Sequence, residues 1–229
     1  MSVVTLPFLV VAIIGSANIK WNYHIKSTHR GDIPGVVLTF DDGPHPENTP
    51  KILDILKYFD VKATFFVIGK QVEKYPDLLK EIDKQGHTIG NHSYSHQSTL
   101  PLFFPKKLRR DFDECNLLIA RLIKKIPLFI RPPFGATSPF YFRMMRKSPY
   151  QSIGWTVRSF DTVEKDKTKI LDRILNATSQ QKEAHTVLLH DTQEITVELL
   201  PLLLEEFNKK GTKVVSLSET LNKSAYENC

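Results

Sequence analysis

Cysteine is nearly absent from this chain. Its 229 residues hold two, Cys115 and Cys229, so neither a disulfide framework nor a cysteine zinc site can be read from them, and the fold must stand on its core. Low-complexity tracts, coiled-coil heptads and fixed-period repeats are also missing. No apolar run reaches the ~20 residues of a membrane-spanning helix. No glycine-rich dinucleotide fingerprint follows the first strand-like segment, where Gly43-Pro44 reads as a turn, which disfavours a nucleotide-binding open sheet. Charge of one sign is not concentrated either. The net charge is +6, with Lys and Arg scattered among Asp and Glu. That describes a solvated, mildly basic surface, suited to an anionic cell envelope, and nucleic acid is not an expected partner.

Present instead is an ordinary globular composition, 41% hydrophobic and 24% charged, in a length that suits one domain. Residues 31–229 are expected to form it. Residues 1–30 differ. Val3 to Ile14 is apolar apart from Thr5 and Pro7, about the length of the core of an export signal, and Gly15-Ser16-Ala17 is a small-x-small cleavage pattern. Yet no Lys or Arg precedes the run, and Lys20, Lys26 and Arg30 come after it, a flank that opposes export of the downstream chain. The expectation is a signal or membrane-anchor segment facing the cell envelope, with association to the membrane through it. A buried first strand or helix and a truncated longer anchor are the other readings.

From residue 34 onward, short β-rich runs alternate with longer amphipathic stretches. Strands are expected at 36–40, 63–68, 87–90, 128–131, 152–157, 186–189 and 214–217. Helices are expected at 50–59, 71–84, 104–124, 139–147, 167–177 and 195–209, with Gly86 and Gly211 as C-terminal stops. Such alternation implies parallel strands with helical crossovers. The class is α/β, a (β/α) barrel or an open doubly wound sheet. Unusual polar residues sit just after strands: Asp41, Asp42, His92, Arg131, Asp161 and His190. In a parallel barrel these ends converge on one face.

Each has a functional and a plain reading. Two adjacent carboxylates after an apolar strand need solvent or a cation, although Asp before Gly-Pro is also common in turns. His92 and His96 share one face if their segment is helical and can then bind one metal ion with an acidic partner, leaving positions open as catalytic sites do; capping is the alternative. His190 suits a general acid, or is a third ligand or a satisfied core histidine. Arg131, on the stiff turn Arg131-Pro132-Pro133, can hold a carboxylate by bidentate hydrogen bonds or form a surface salt bridge.

Together, Thr39-Phe40-Asp41-Asp42-Gly43-Pro44, His92-Ser93-Tyr94-Ser95-His96, Arg131-Pro132-Pro133-Phe134-Gly135 and Leu188-Leu189-His190 resemble, in order and spacing, the motifs of the polysaccharide deacetylases, carbohydrate esterase family four. The resemblance spans about residues 35–220. It implies a distorted (β/α) barrel of about seven parallel strands. It implies Asp42, His92 and His96 as ligands of a divalent metal, zinc by default, with Co2+, Ni2+ or Mn2+ as substitutes. Asp41 matches the base, Arg131 the residue that orients it, and His190 the general acid. Leu188 matches the wall around the acetyl methyl, and the backbone N–H of Phe134 a donor to the oxyanion. A fifth motif, Asp-x-x-Asp-Trp, is altered. Asp161 is kept as the partner of the acid histidine, but Arg158 replaces the first Asp and Thr162 the Trp. A second arginine beside the site would favour a charged substrate.

The implied activity is hydrolysis of N-acetyl groups from an N-acetylglucosamine-containing glycan, chitin oligomers or peptidoglycan, by a monomer. Esterase action on O-acetyl xylan and a non-catalytic sugar-binding module are the competing readings. A two-carboxylate glycosidase is disfavoured, since such pairs flank a bond at about 5–9 Å while Asp41 and Asp42 are adjacent. Asn91, Asn176 and Asn222 begin glycosylation sequons.

Overall fold

The computed structural model describes residues 27–29, 31–97, 105–180 and 183–228. The expectations for the N-terminal apolar run and for Cys229 fall outside the described residues. Strand β1 (Gly35–Asp41) is buried along its whole length, as a run of Val, Leu and Phe must be when both faces of a central parallel strand are covered. Next come helix α1 (Asn48–Tyr58), β2 (Thr64–Val67), α2 (Gly69–Lys74), α3 (Pro76–Lys84) and β3 (Thr88–Asn91). Helix α4 (Pro105–Ile123) leads to β4 (Lys125–Pro127), β5 (Phe129–Ile130), α5 (Pro139–Met145), β6 (Gln151–Ser152) and β7 (Val157–Arg158). The chain ends with α6 (Lys167–Ala177), β8 (Ala184–His190), α7 (Glu194–Lys210), α8 (Leu217–Leu221) and β9 (Tyr226–Asn228).

Seven strands form one sheet in the order β6-β5-β3-β2-β1-β8-β7, and every pairing in it is parallel. No ladder joins the outer strands β6 and β7 among the described residues, so this is a distorted, incompletely closed (β/α) barrel, as the motifs imply. The main core lies between sheet and helices. Ile52, Leu53 and Leu56 from α1 meet Leu199, Leu200, Leu203, Leu204 and Phe207 from α7, with Phe40 and Phe65 of the sheet below them. Helix α4 buries Leu108, Phe112, Cys115 and Ile119, a stripe spaced four, three and four residues apart, as a 3.6-residue period requires.

Several expected elements differ. The helix expected at 71–84 is two, because Pro76 has no N–H to continue α2 and instead opens α3 at its first position. The strand expected at 152–157 is two short strands. Val214 makes only an isolated bridge to Val36, and Leu217 begins α8, whose start is fixed by a capping box between Ser216 and Glu219. The antiparallel pair β4–β9 was not expected, because three-residue strands are too short to show alternation. Asn91 is fully buried, its amide donating to the Phe112 carbonyl and to Asn116, so its sequon is inaccessible in the folded chain. No helix among the described residues is long and apolar enough to cross a membrane.

Phe65 stacks on Phe40 with ring centroids 5.0 Å apart and is 1% exposed. Phe65→Ala should lower unfolding stability by about 3–5 kcal/mol in a denaturant titration, as truncation of a packed core aromatic does. A loss under about 1 kcal/mol would show that the core refills the gap.

Candidate active site

Register brings the site together. Asp41 pairs with His190 across β1 and β8, and Asn91 pairs with Ile130 across β3 and β5. Asp41–Asp42, His92, Arg131 and His190 therefore leave neighbouring strands at one level, on the C-terminal face where barrel chemistry collects. A cavity of about 260 Å³ there is lined by Asp41, Asp42, His92, His96, Phe134, Gly135, Trp155, Arg158, Thr162, Leu188 and His190. Of the eleven residues singled out in the sequence, nine line this cavity, and Arg131 and Asp161 lie behind it as supports.

The 92–96 segment is not a helix. It leaves β3 as an irregular loop with Ser93 and His96 in the left-handed region, φ 72° and 54°. The shared helical face expected for the two histidines is therefore wrong in mechanism, although both imidazoles still meet. The loop is held by side chains instead. Asn91 Oδ1 accepts from the Ser93 N–H at 2.7 Å, Ser93 Oγ accepts from the His96 N–H at 3.0 Å, and Asp111 on α4 accepts from the Ser95 N–H. Such contacts favour a turn over a helix.

The donor atoms of Asp42, His92 and His96 all lie within 4.8 Å of one another. Asp42 Oδ1 is 3.4 Å from His92 Nε2 and 3.3 Å from His96 Nε2. His92 Nδ1 lies 2.8 Å from the Arg131 carbonyl oxygen. A carbonyl only accepts, so Nδ1 carries the hydrogen and Nε2 turns a lone pair toward Asp42. Burial also pushes the His92 imidazole down to about 3, against the pull of Asp42, so this histidine is in its neutral, ligating form. Asp42 Oδ1 is buried without a hydrogen-bond partner. Lone pairs facing one another with no hydrogen between them fit a cation, and these three residues could hold one.

Asp41 sits beside this set, with Oδ2 3.7 Å from His92 Nε2, but its other oxygen is tied elsewhere. It is 3% exposed, and its Oδ1 accepts from Arg131 Nη1 at 2.6 Å. Arg131 is fully buried and does not make the bidentate pair expected of it. Nη1 also donates to Thr39 Oγ1 at 2.9 Å, Nε to the Ile153 carbonyl at 3.2 Å and Nη2 to the Gly154 carbonyl at 2.9 Å. The guanidinium lies 4.1 Å from the centre of the Phe66 ring. Burial raises the Asp41 carboxyl above its ordinary range, and the charge of Arg131 offsets only part of that.

On the far wall, His190 Nδ1 is 2.8 Å from Asp161 Oδ1. Asp161 is fully buried and also accepts from the His190 N–H, Thr196 Oγ1 and Ser159 Oγ. Burial opposes charge on the His190 imidazole, but the hydrogen bond and charge of Asp161, helped by Asp41 and Asp42, outweigh it and raise its affinity for a proton. Burial likewise opposes charge on Asp161, and the hydrogen bonds with His190, Thr196 and Ser159 lower its carboxyl nonetheless. Leu188 packs on Trp155 beside this pair. Phe134, at φ 59°, is 60% exposed at the rim, its ring 4.6 Å from that of His96.

Three contributors were not singled out in the sequence. Thr39 bridges Arg131 and the Val187 carbonyl. Trp155 fills the wall against Gly135, where a methyl group would collide with its ring. Asp191 is buried, accepts from Thr49 Oγ1 at 2.6 Å and sits where a side chain at Gly43 would collide with it. It packs the Asp41–Gly43 loop down, and burial raises its carboxyl to about 7. The one signal for Asp191 was its place after His190.

Because His190 binds its proton more tightly folded than unfolded, this stabilisation is complete below about pH 6.5 and fades as pH rises through the folded value. In an NMR titration of the metal-free protein, His190 should titrate above 6.5 and Asp161→Asn should bring it down. An unchanged midpoint in that variant would remove Asp161 as the cause.

Comparison with known proteins agrees with this geometry. Residues 29–153 match the family described as polysaccharide deacetylase. A peptidoglycan-N-acetylglucosamine deacetylase of Bacillus cereus is 34% identical over 186 residues, covering 80% of this chain and 66% of that protein. The peptidoglycan-N-acetylmuramic acid deacetylase PdaC of Bacillus subtilis is 31% identical over 184 residues, covering 80% of this chain and 38% of that protein. The chain thus spans less than two thirds of either relative's length. Among solved structures, the Bc1960 peptidoglycan N-acetylglucosamine deacetylase superposes with a TM-score of 0.80 at 31% identity, covering 87% of this chain and 94% of that one. Matched by the family over more than half its length and carrying the family's motifs around one cavity, this chain belongs to the polysaccharide deacetylase family of hydrolases.

Proposed function

We propose that this protein is a metal-dependent deacetylase that removes N-acetyl groups from the sugars of peptidoglycan and releases acetate. The observation that carries the reading is the division of one cavity: three converging donor atoms beside a carboxylate tied to Arg131, facing a histidine whose Nδ1 is engaged by Asp161. Peptidoglycan is preferred over chitin because similar proteins are named for it. The O-acetyl xylan and sugar-binding alternatives have less support, since those relatives are named as N-deacetylases and base, acid and donor atoms all face one cavity. An envelope-facing location, reached through the N-terminal apolar segment, belongs to the same reading, as does a monomer.

An amide is a poor electrophile, and its nitrogen departs only when protonated. A divalent cation held by Asp42, His92 and His96, zinc by the nature of the donors, would polarise the carbonyl and acidify water. Asp41, with Oδ1 tied to Arg131, keeps Oδ2 to take the proton of the attacking water; its raised pKa makes it a stronger base than a solvated aspartate. The backbone N–H of Phe134 is assigned to the developing oxyanion. His190 presents Nε2 to the cavity while Nδ1 is engaged by Asp161, and it gives its proton to the leaving amine. Leu188 and Trp155 supply the apolar wall for the acetyl methyl.

Asp41→Asn should keep its metal and lose acetate release by about 10²–10⁴-fold, the usual weight of a general base. His92→Ala should lose the metal by elemental analysis, and chelation should abolish turnover until zinc is restored. A fully active Asp41→Asn protein, or a fully metallated His92→Ala protein, would overturn the respective assignment.

A further inference from the structure

Arg158 is not used in that mechanism, yet it lines the catalytic cavity from the end of β7. Its guanidinium forms no ion pair with a carboxylate among the described residues; its partner is the Phe160 ring, 4.9 Å from Cζ. The other cation at the site, Arg131, is wholly engaged by Asp41 and its neighbours. Arg158 is thus an exposed positive charge in a cavity whose own carboxylates, Asp41 and Asp42, are engaged with Arg131 and the two imidazoles, and it has no ion pair of its own among the described residues.

The surroundings reinforce this. Ser159, Phe160 and Asp161 form a tight turn in which Phe160 takes φ 64°, an unfavourable value for an aromatic residue. The turn sends Asp161 inward to His190 and leaves Phe160 40% exposed. A second guanidinium, Arg173, lies 5.1 Å from the same ring and is anchored on the Ser159 carbonyl. Two like charges gathered on one ring repel each other, and the aromatic face offsets that only in part. An anion bound beside them relieves it. Thr162, the other departure from the family pattern, lines the same cavity. It is smaller than the expected tryptophan, which leaves space for a substituent larger than a hydroxyl.

We propose that Arg158 is a specificity-determining residue that pairs with a carboxylate carried by the glycan, so that the enzyme prefers an anionic N-acetylated strand to a neutral one. The inference rests on the deacetylase reading above and narrows its substrate class. The carboxylate has two sources in peptidoglycan, a lactyl ether on the sugar or the peptide attached through it, and both present the same chemistry to a guanidinium.

The test compares three acetylated oligosaccharides of equal length: a neutral N-acetylglucosamine oligomer, a glycan with bare lactyl carboxylates, and the same glycan with its peptides attached. For the metal-loaded enzyme, kcat/KM should favour a carboxylate-bearing substrate. Arg158→Ala should cut the anionic-to-neutral ratio about tenfold, chiefly through KM. Arg158→Glu should cut it further, Arg158→Lys should keep part of it, and high salt should erase the wild-type preference. Whichever anionic substrate shows the effect identifies the source. Calorimetric binding of the same three compounds to Asp41→Asn protein gives a readout independent of turnover. Arg158-dependent preference in binding, together with no acetate release by the metal-loaded wild-type protein, would sink the deacetylase reading and leave this one standing. Equal binding of anionic and neutral compounds, or a ratio unmoved by Arg158→Glu, would overturn the proposal.

Discussion

The buried pair of Arg131 and Asp41 is the constraint on which the rest of the site depends. A guanidinium with no solvent exposure is costly unless its donors are met. Here Asp41, Thr39, Ile153 and Gly154 meet them, and Phe66 covers its face. Those partners come from β1, β2 and the link between β6 and β7, so Arg131 at the end of β5 ties the two open edges of the sheet to its centre. The same residue fixes His92 from behind, because its carbonyl holds the imidazole in the tautomer that aims Nε2 at Asp42. One side chain and its own peptide oxygen thus position both Asp41 and His92.

Four aspartates near this point have separate environments, and the environments separate their roles. Asp41 is tied to a cation and pushed toward basicity by burial. Asp42 leaves an oxygen without a hydrogen-bond partner between two imidazoles. Asp161 is saturated with hydrogen bonds and raises the proton affinity of His190. Asp191 braces the loop that carries the first two. Burial, opposite charge and hydrogen bonding act on Asp41, Asp161 and Asp191 in different proportions, so carboxylates of one chemical type are set up differently.

Much of this was legible beforehand because it is local or periodic. The helical stripes of α1 and α7, the stop at Gly211 and the polar residues after strands follow from spacing alone. The motif order carried the pairing of roles with residues. What failed were the features set by long-range contacts. The 92–96 segment reads as helical by its two histidines, but Asn91 and Asp111 capture its backbone N–H groups and bend it. The bidentate arginine became a hub because the β6–β7 link delivers two carbonyls to it. Trp155 and Asp191 gave little signal, since nothing in their flanks shows that they pack against Gly135 and Gly43.

By itself, then, the sequence determined the α/β class, the family and the candidate site residues, because these depend on hydrophobic period and on residue types in fixed order. Only the tertiary structure decided how each acts. Strand register sets Asp41 beside His190, a left-handed turn rather than a helix joins His92 to His96, and a single buried guanidinium ties down one oxygen of Asp41. The first and last of these depend on groups far apart along the chain, Asp41 with His190 and Arg131 with Asp41, which no local pattern encodes.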